Sequence, residues 1–245
     1  PIKADLAKID AIKTLDDLQK YLLEATRLGD NSFYGWRVGA DMKNSNMNAV
    51  YLGGPDLGLG RDYYQKVNEA NTKTLAEYQT YVGKLFGVLG YKNSTQSAQN
   101  VVDFEKQLAN YLLTLEQNRD ANLRYNPKNV SELSGLVKNV DLAKYLKDAG
   151  VNTDRVIIGE LKYYQNMDQF VTQKNLPLLK DYLKYHIING NASNLDENLE
   201  QIRFDFYAKY LQGQKEQKER WKLMVSTVDD NLGEVLGKLF TEEYF

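Results

Sequence analysis

The residues with the most chemical potential lie in one stretch, Leu52-Gly53-Gly54-Pro55-Asp56-Leu57-Gly58-Leu59-Gly60-Arg61-Asp62-Tyr63-Tyr64. Four of the chain's 17 glycines fall between Gly53 and Gly60. A glycine-rich loop ahead of a helix presents backbone N–H groups to anions, which suggests a phosphate cradle. The details do not fit one. A P-loop needs Lys and Ser/Thr directly after its second glycine, and Gly58 is followed by Leu59. The dinucleotide fingerprint needs a third glycine where Tyr63 stands. The glycines read instead as a chain reversal that needs positive φ and close backbone packing. Arg61 has the fork geometry to bind a carboxylate. The simpler reading pairs Arg61 with Asp62 and uses Tyr63 and Tyr64 to fix the loop to the next helix.

Other chemistry is sparse. His186 is the single histidine, in Leu183-Lys184-Tyr185-His186-Ile187-Ile188, and reads as packed within a helix. Cysteine is absent, which removes disulfides, thiolate ligands and Cys nucleophiles together. Catalytic zinc sites generally use two or three His, completed by carboxylate or Cys. This composition argues against such a site and implies no cofactor in the chain. Asp229-Asp230 and Glu242-Glu243 are adjacent, so each pair diverges on a helix and reads as solvated surface. Lys215 to Arg220 alternates charge at helical spacing, the pattern of an exposed face.

The elements that position these residues follow from periodicity. The chain has 245 residues, 42% hydrophobic and 26% charged, with a net charge of -2. That suits a folded globular chain with a sizeable core, and lacks the basic face of a nucleic-acid binder. No apolar run approaches the roughly 18 residues of a membrane span. Pro1 to Asp5 leads straight into an amphipathic pattern, without signal-peptide features. Tyrosine is abundant at 18 residues, which suits half-buried helical seams or a packing surface.

Residues 4–28 read as helix, with a break where Thr14 and Asp17 form a capping box, and Gly29 as the stop. Tyr34, Trp36 and Val38 alternate with small or polar residues, and Met47 to Leu52 is extended. The pair reads as a β-hairpin over residues 34–52, marginal alone and needing helices or further strands. Helices are expected over 71–89, 95–118, 131–138, 141–149, 161–174, 176–188, 195–210 and 214–240, with residues 119–127 a connection and Arg155 to Ile158 a short extended run. The fold class is mainly α, a single domain of about eight to ten helices with a minor β-hairpin.

Several short motifs then occur in order. Asp41-Met42-Lys43-Asn44-Ser45 is followed by Leu57-Gly58-Leu59-Gly60-Arg61-Asp62-Tyr63-Tyr64. Glu105 and Leu108-Ala109, Arg119-Asp120 and Tyr125-Asn126 come next. Leu211-Gln212-Gly213, Arg220-Trp221 and Gly237-Lys238-Leu239-Phe240 close the set. From about Phe33 to Phe245 this order resembles the helical, non-catalytic domain of the neprilysin-like zinc endopeptidases, which include endothelin-converting enzymes and bacterial oligopeptidase O. The family signature is Gly-Leu-Gly-Leu-Pro-x-Arg-Asp-Tyr-Tyr. Here Gly60 stands in place of Pro and the loop is one residue shorter. Met224 stands where animal members carry Cys. That points to a bacterial member, with the cell envelope favoured over the cytoplasm.

The family's His-Glu-x-x-His zinc helix and downstream Glu ligand are absent, so the resemblance assigns no catalytic or metal residue here. It implies zinc in a catalytic domain of the same polypeptide, short peptides as substrates, and a helical domain that encloses the cavity. The residues it marks as structural or interdomain are Asp41, Lys43, Asn44, Gly58, Arg61, Asp62, Tyr63, Tyr64, Arg119, Asp120, Tyr125 and Trp221. The hairpin and the glycine loop are expected near the junction with the catalytic half, the hairpin pairing or packing with that missing segment. A stand-alone helical peptide-binding or scaffold module is the alternative, and an enzyme acting through Arg61 a more distant one.

Overall fold

A computed structural model describes residues 2–245. The chain is mainly α-helical with one small mixed sheet, and its contacts divide it into two compact units, Pro1–Ile202 and Arg203–Phe245. The helices of the first unit are α1 (Lys3–Ala11), α2 (Leu15–Arg27), α3 (Arg61–Gln65), α4 (Glu69–Val88), α5 (Ser94–Ala109), α6 (Ala121–Arg124), α7 (Leu133–Leu136), α8 (Leu142–Asp148), α9 (Leu161–Phe170), α10 (Leu176–Asn191) and α11 (Glu197–Arg203), the last reaching the boundary. The break before α2 is the expected capping box. Thr14 accepts from the Asp17 N–H, and the Asp17 carboxylate accepts from the Thr14 N–H. Gly29, Gly90 and Gly150 follow α2, α4 and α8 at φ +90°, +78° and +77°, the left-handed stop that glycine adopts freely.

The hairpin is present as β1 (Trp36–Asp41) and β2 (Asn44–Leu52), with Trp36 opposite Leu52 and Val38 opposite Val50. Its partners lie within this chain. The run at β4 (Arg155–Ile158) pairs parallel with β2, and β3 (Asn126–Asn129) pairs antiparallel with β4, giving the order β1-β2-β4-β3. Residues 119–127 were expected to be connection, yet they hold α6 and the start of β3. Asn-Pro-Lys-Asn has no apolar alternation, and β3 is an edge strand where Pro127 is tolerated.

Two helices are shorter than their stripes. α5 stops at Ala109 rather than running to 118. The Gln65 amide donates to the carbonyls of Ala109 and Leu112 at 2.8 and 3.0 Å, and the Leu113 N–H turns to Glu160. Tertiary partners thus supply what another helical turn would have. α9 ends at Phe170, where Thr172 caps the next turn.

Phe33 is the centre of the core. It meets Phe104, Tyr163, Phe170 and Tyr182, with ring centroids 6.0–6.4 Å apart. The abundant tyrosines are buried more deeply than a half-buried seam requires. Tyr34, Tyr78, Tyr145, Tyr163, Tyr164, Tyr182 and Tyr185 are all under 2% exposed.

In the second unit, residues Phe204–Tyr210 form a π-helical turn in which Phe206 stacks on Tyr210. Gly213, at φ +71°, precedes an irregular stretch, and α12 (Arg220–Tyr244) follows. α12 is kinked at Leu232 (φ -125°, ψ 19°), beside Gly233, and none of its residues is buried. No helix among the described residues is long and apolar enough to cross a membrane.

Candidate functional site

The glycine loop joins the sheet to the helices, and buried tyrosines hold its backbone. The Gly53 N–H donates to Gly35 O at 2.9 Å, and the Tyr164 hydroxyl donates to Gly53 O at 2.5 Å. The Asp56 N–H donates to Ser32 O at 2.7 Å, and the Tyr182 hydroxyl lies 2.6 Å from both Ser32 O and Asp56 O. Positive φ is not what the loop glycines supply, contrary to expectation. The positive-φ glycines are Gly29, Gly90, Gly150 and Gly213. Close approach is the reason for Gly58. A Cβ there would lie 1.8 Å from the Tyr78 hydroxyl oxygen and 2.7 Å from that of Tyr185. Gly60 has φ -56° and ψ 142°, a conformation proline also adopts.

Two buried carboxylates complete the joint. Glu105, fully buried on α5, accepts from the Gly58 N–H at 2.9 Å and from the Tyr64 hydroxyl at 2.7 Å. The Tyr64 oxygen accepts from the Leu59 N–H at 3.2 Å, so loop, α3 and α5 share one network. His186 approaches Glu105 at 3.5 Å and packs on Tyr182 with ring centroids 4.3 Å apart, as a packed helical histidine would. Glu160, two residues beyond the end of β4, takes Arg61 Nη1 at 3.0 Å on one oxygen and the Leu113 N–H at 2.7 Å on the other. Arg61 also donates to the Leu113 carbonyl. The partner of Arg61 is therefore Glu160 and not Asp62, whose carboxylate pairs with Lys66 at 2.6 Å. Arg61 and Asp62 point apart as neighbours on a helix do.

A second cluster fixes the hairpin. Asp41 is 3% exposed. Its carboxylate accepts from the Lys43 N–H at 2.8 Å, from Arg155 Nη2 at 2.6 Å and from the Tyr125 hydroxyl at 3.1 Å. These bonds, led by the Lys43 N–H, hold the Asp41 carboxyl below its ordinary range against the opposing effect of burial. The Arg155 pKa is raised, first by Asp41 and then by Tyr125. Lys43 Nζ lies 4.8 Å above the Tyr125 ring. β1, β3 and β4 are thereby tied at one corner.

Some of the residues marked in the sequence fall into two groups. Asp41, Lys43 and Tyr125 converge, and Gly58 and Tyr64 meet on Glu105, while Arg61 is held separately on Glu160. Tyr63 is half-buried beside the second group. Asn44 is exposed and closes its own turn with the Asn46 N–H. Arg119 is exposed, and Asp120 caps α6 through the Asn122 N–H, away from either group. Trp221 is 62% exposed in the second unit, its Nε1 donating to Glu219. Glu160, Arg155, Tyr164 and Tyr182 went unmarked. A charged residue one glycine beyond the Val156–Ile158 run was the available signal for Glu160.

A cleft of about 580 Å³ opens beside the loop, between the C-terminal ends of α2 and α10. Glu24, Asp30, Asp56 and His186 line it, with Lys8 paired to Glu24. Burial pushes the Asp56 carboxyl up, His186 opposes that, and Asp30 adds to it. The recess favours positive charge. Among the described residues, no group of three His, Cys, Asp or Glu is placed to hold a metal ion. These side chains do not fit a zinc centre.

A family model described as peptidase family M13 matches residues 1–245. Endothelin-converting enzyme 1 of Rattus norvegicus is 29% identical over 222 residues, covering 87% of this chain and 29% of that protein. Neprilysin-11 of Caenorhabditis elegans is 25% identical over 253 residues, covering 95% of this chain and 30% of that protein. Among solved structures, the zinc metalloprotease ZMP1 of Mycobacterium tuberculosis, in complex with an inhibitor, superposes on all of this chain with a TM-score of 0.90 at 25% identity. PepO of Lactobacillus rhamnosis has the same fold, with a TM-score of 0.86 at 18% identity. The chain spans 38% and 39% of those two solved chains.

Proposed function

The chain belongs to peptidase family M13, and on that premise we propose that it is the helical, non-catalytic domain that encloses the substrate cavity of a bacterial zinc endopeptidase. The catalytic zinc domain is supplied by the same polypeptide, and the zinc chemistry resides there. Residues 1–245 provide walls that admit short peptides, keep folded proteins out and exclude water from the reacting centre. A compartment in the cell envelope belongs to the same reading.

The observation that carries this reading is how the charged side chains are used. Arg61, Glu105, Glu160, Asp41 and Arg155 are engaged by other groups of the chain itself. A catalytic or substrate-binding group needs a face left for substrate. Here these charges fix the wall in shape.

The experiment compares the complete polypeptide on two substrates, a short peptide and the same sequence held in a loop of a stably folded protein. The proposal predicts cleavage of the peptide and at least ~100-fold slower cleavage of the folded carrier, as steric exclusion requires. Equal rates would remove the enclosing role.

A further inference from the structure

The cleft beside the glycine loop, about 580 Å³ in volume, has the size of a small-molecule site. Its charge is one-sided. Asp5, Glu24, Asp30 and Asp56 line it against one ammonium, that of Lys8, which pairs with Glu24 at 2.5 Å. The C-terminal ends of α2 and α10 add the partial negative charge of their last carbonyls. Two deeply buried side chains in the lining set this recess apart from solvated acidic surface. Tyr21 is 8% exposed, and its hydroxyl is neither hydrogen-bonded among the described residues nor sealed from solvent, so it opens into the cleft. Burial raises the pKa of that hydroxyl, and Asp30, Asp5 and Glu24 raise it further, so three of the four carboxylates act on one point. The His186 side chain is 10% exposed, and its Nε2 has no hydrogen-bond partner, with Glu105 at 3.5 Å.

We propose that this cleft binds an alkylammonium group, the chemistry of a lysine side chain or of a free diamine. The carboxylates supply the charge and the Tyr21 hydroxyl oxygen an acceptor. Leu28, Leu57 and Ile187 supply an apolar wall for the stem, and Leu28 is 74% exposed while the cleft is open. A long cationic side chain buries its methylenes on such a wall and keeps its head among polar groups. A metal ion is the wrong occupant, because no three His, Cys, Asp or Glu among the described residues are placed around one point. Carboxylates spread around a recess suit a cation on a stem. The site stands apart from the enclosing role: it is built within residues 5–191, and its failure leaves that role intact.

The single histidine supplies the reporter. The imidazole C2 proton of His186 is followed by NMR in the 245-residue chain, at constant pH, as 1,5-diaminopentane is added. The control is 1,5-pentanediol, of equal length without the charge. The expected result is a saturable shift with the diamine, half complete at ~10 mM or lower, which a ligand this small can reach. Raising NaCl to ~0.5 M should weaken it several-fold. Tyr21→Phe should weaken it by about 10-fold, the value of a hydrogen bond to a charged group. Asp30→Asn with Asp56→Asn should weaken it by about 10-fold as well. Asparagine at position 30 retains an acceptor for the Ser32 N–H, so that turn survives the substitution. Nα-acetyl-lysine amide against Nα-acetyl-norleucine amide repeats the comparison on a peptide stem. Whichever amine binds more tightly, the diamine or the lysine amide, names the source. Equal shifts with diamine and diol overturn the proposal. So does the absence of a saturable shift with either amine up to ~50 mM, or binding unchanged in both variants.

Discussion

Residues 52–64 and residues 220–244 draw on the same materials, glycine, aromatics and aliphatics, and use them in opposite ways. In the first, backbone and charge end on partners inside the chain: Gly58 on Glu105, Gly53 on Tyr164, Arg61 on Glu160. In the second, the large apolar side chains end in solvent. The difference separates two roles that a sequence motif alone runs together. A stretch whose groups are all used internally sets shape and stability. A stretch whose large apolar side chains reach solvent adds little to the core.

The comparison breaks most readily at Gly58. Gly58→Ala puts a methyl group 1.8 Å from the Tyr78 hydroxyl oxygen, and overpacking of that order costs about 3 kcal/mol. Urea denaturation should show this as a lower midpoint. A variant as stable as the parent would mean the loop is not clamped. Arg61 sharpens the same side. Arg61→Ala leaves the largely buried Glu160 carboxylate without its charge partner, an expected loss of about 2–3 kcal/mol. Asp62→Ala breaks only its pair with the exposed Lys66, an expected loss under ~1 kcal/mol. Equal losses would return Asp62 to the role of partner.

Asp41 gives a pH signature. Its folded pKa lies below the ordinary value of 3.8, so its contribution is present above that value and is lost as pH falls through the folded pKa. Melting temperature recorded downward from about pH 5 should fall, and Asp41→Asn should flatten the part due to this group, with a melting point a few degrees lower at neutral pH. An unchanged acid limb in that variant would detach Asp41 from the hairpin corner. The smallest effect belongs to α12. Val225→Glu in the 245-residue chain should change stability by no more than ~0.5 kcal/mol, since that side chain is 59% exposed. A loss of several kcal/mol would place Val225 in a core and erase the contrast.

Much of this was legible in the residues. Helix caps and stops at Thr14, Gly29, Gly90 and Gly150 act locally, and local signals survive folding. The hairpin alternation was readable for the same reason. β3 and the early end of α5 were not, because both depend on partners remote in sequence: β4 for Asn126–Asn129, and Gln65 and Glu160 for the end of α5. The loop was read as important but for part of the wrong reason. Its glycines suggested positive φ, whereas Gly58 answers to tyrosines 20 and 127 residues away. Arg61 was paired with its neighbour in sequence, whereas its carboxylate lies 99 residues on.

Peptide hydrolysis by the purified 245-residue chain tests the central claim most directly, with zinc added and again after chelation. The account predicts no turnover of short oligopeptides under either condition, in a chain that circular dichroism reports as folded and mainly helical. Zinc-dependent, chelator-sensitive cleavage by this chain would contradict it.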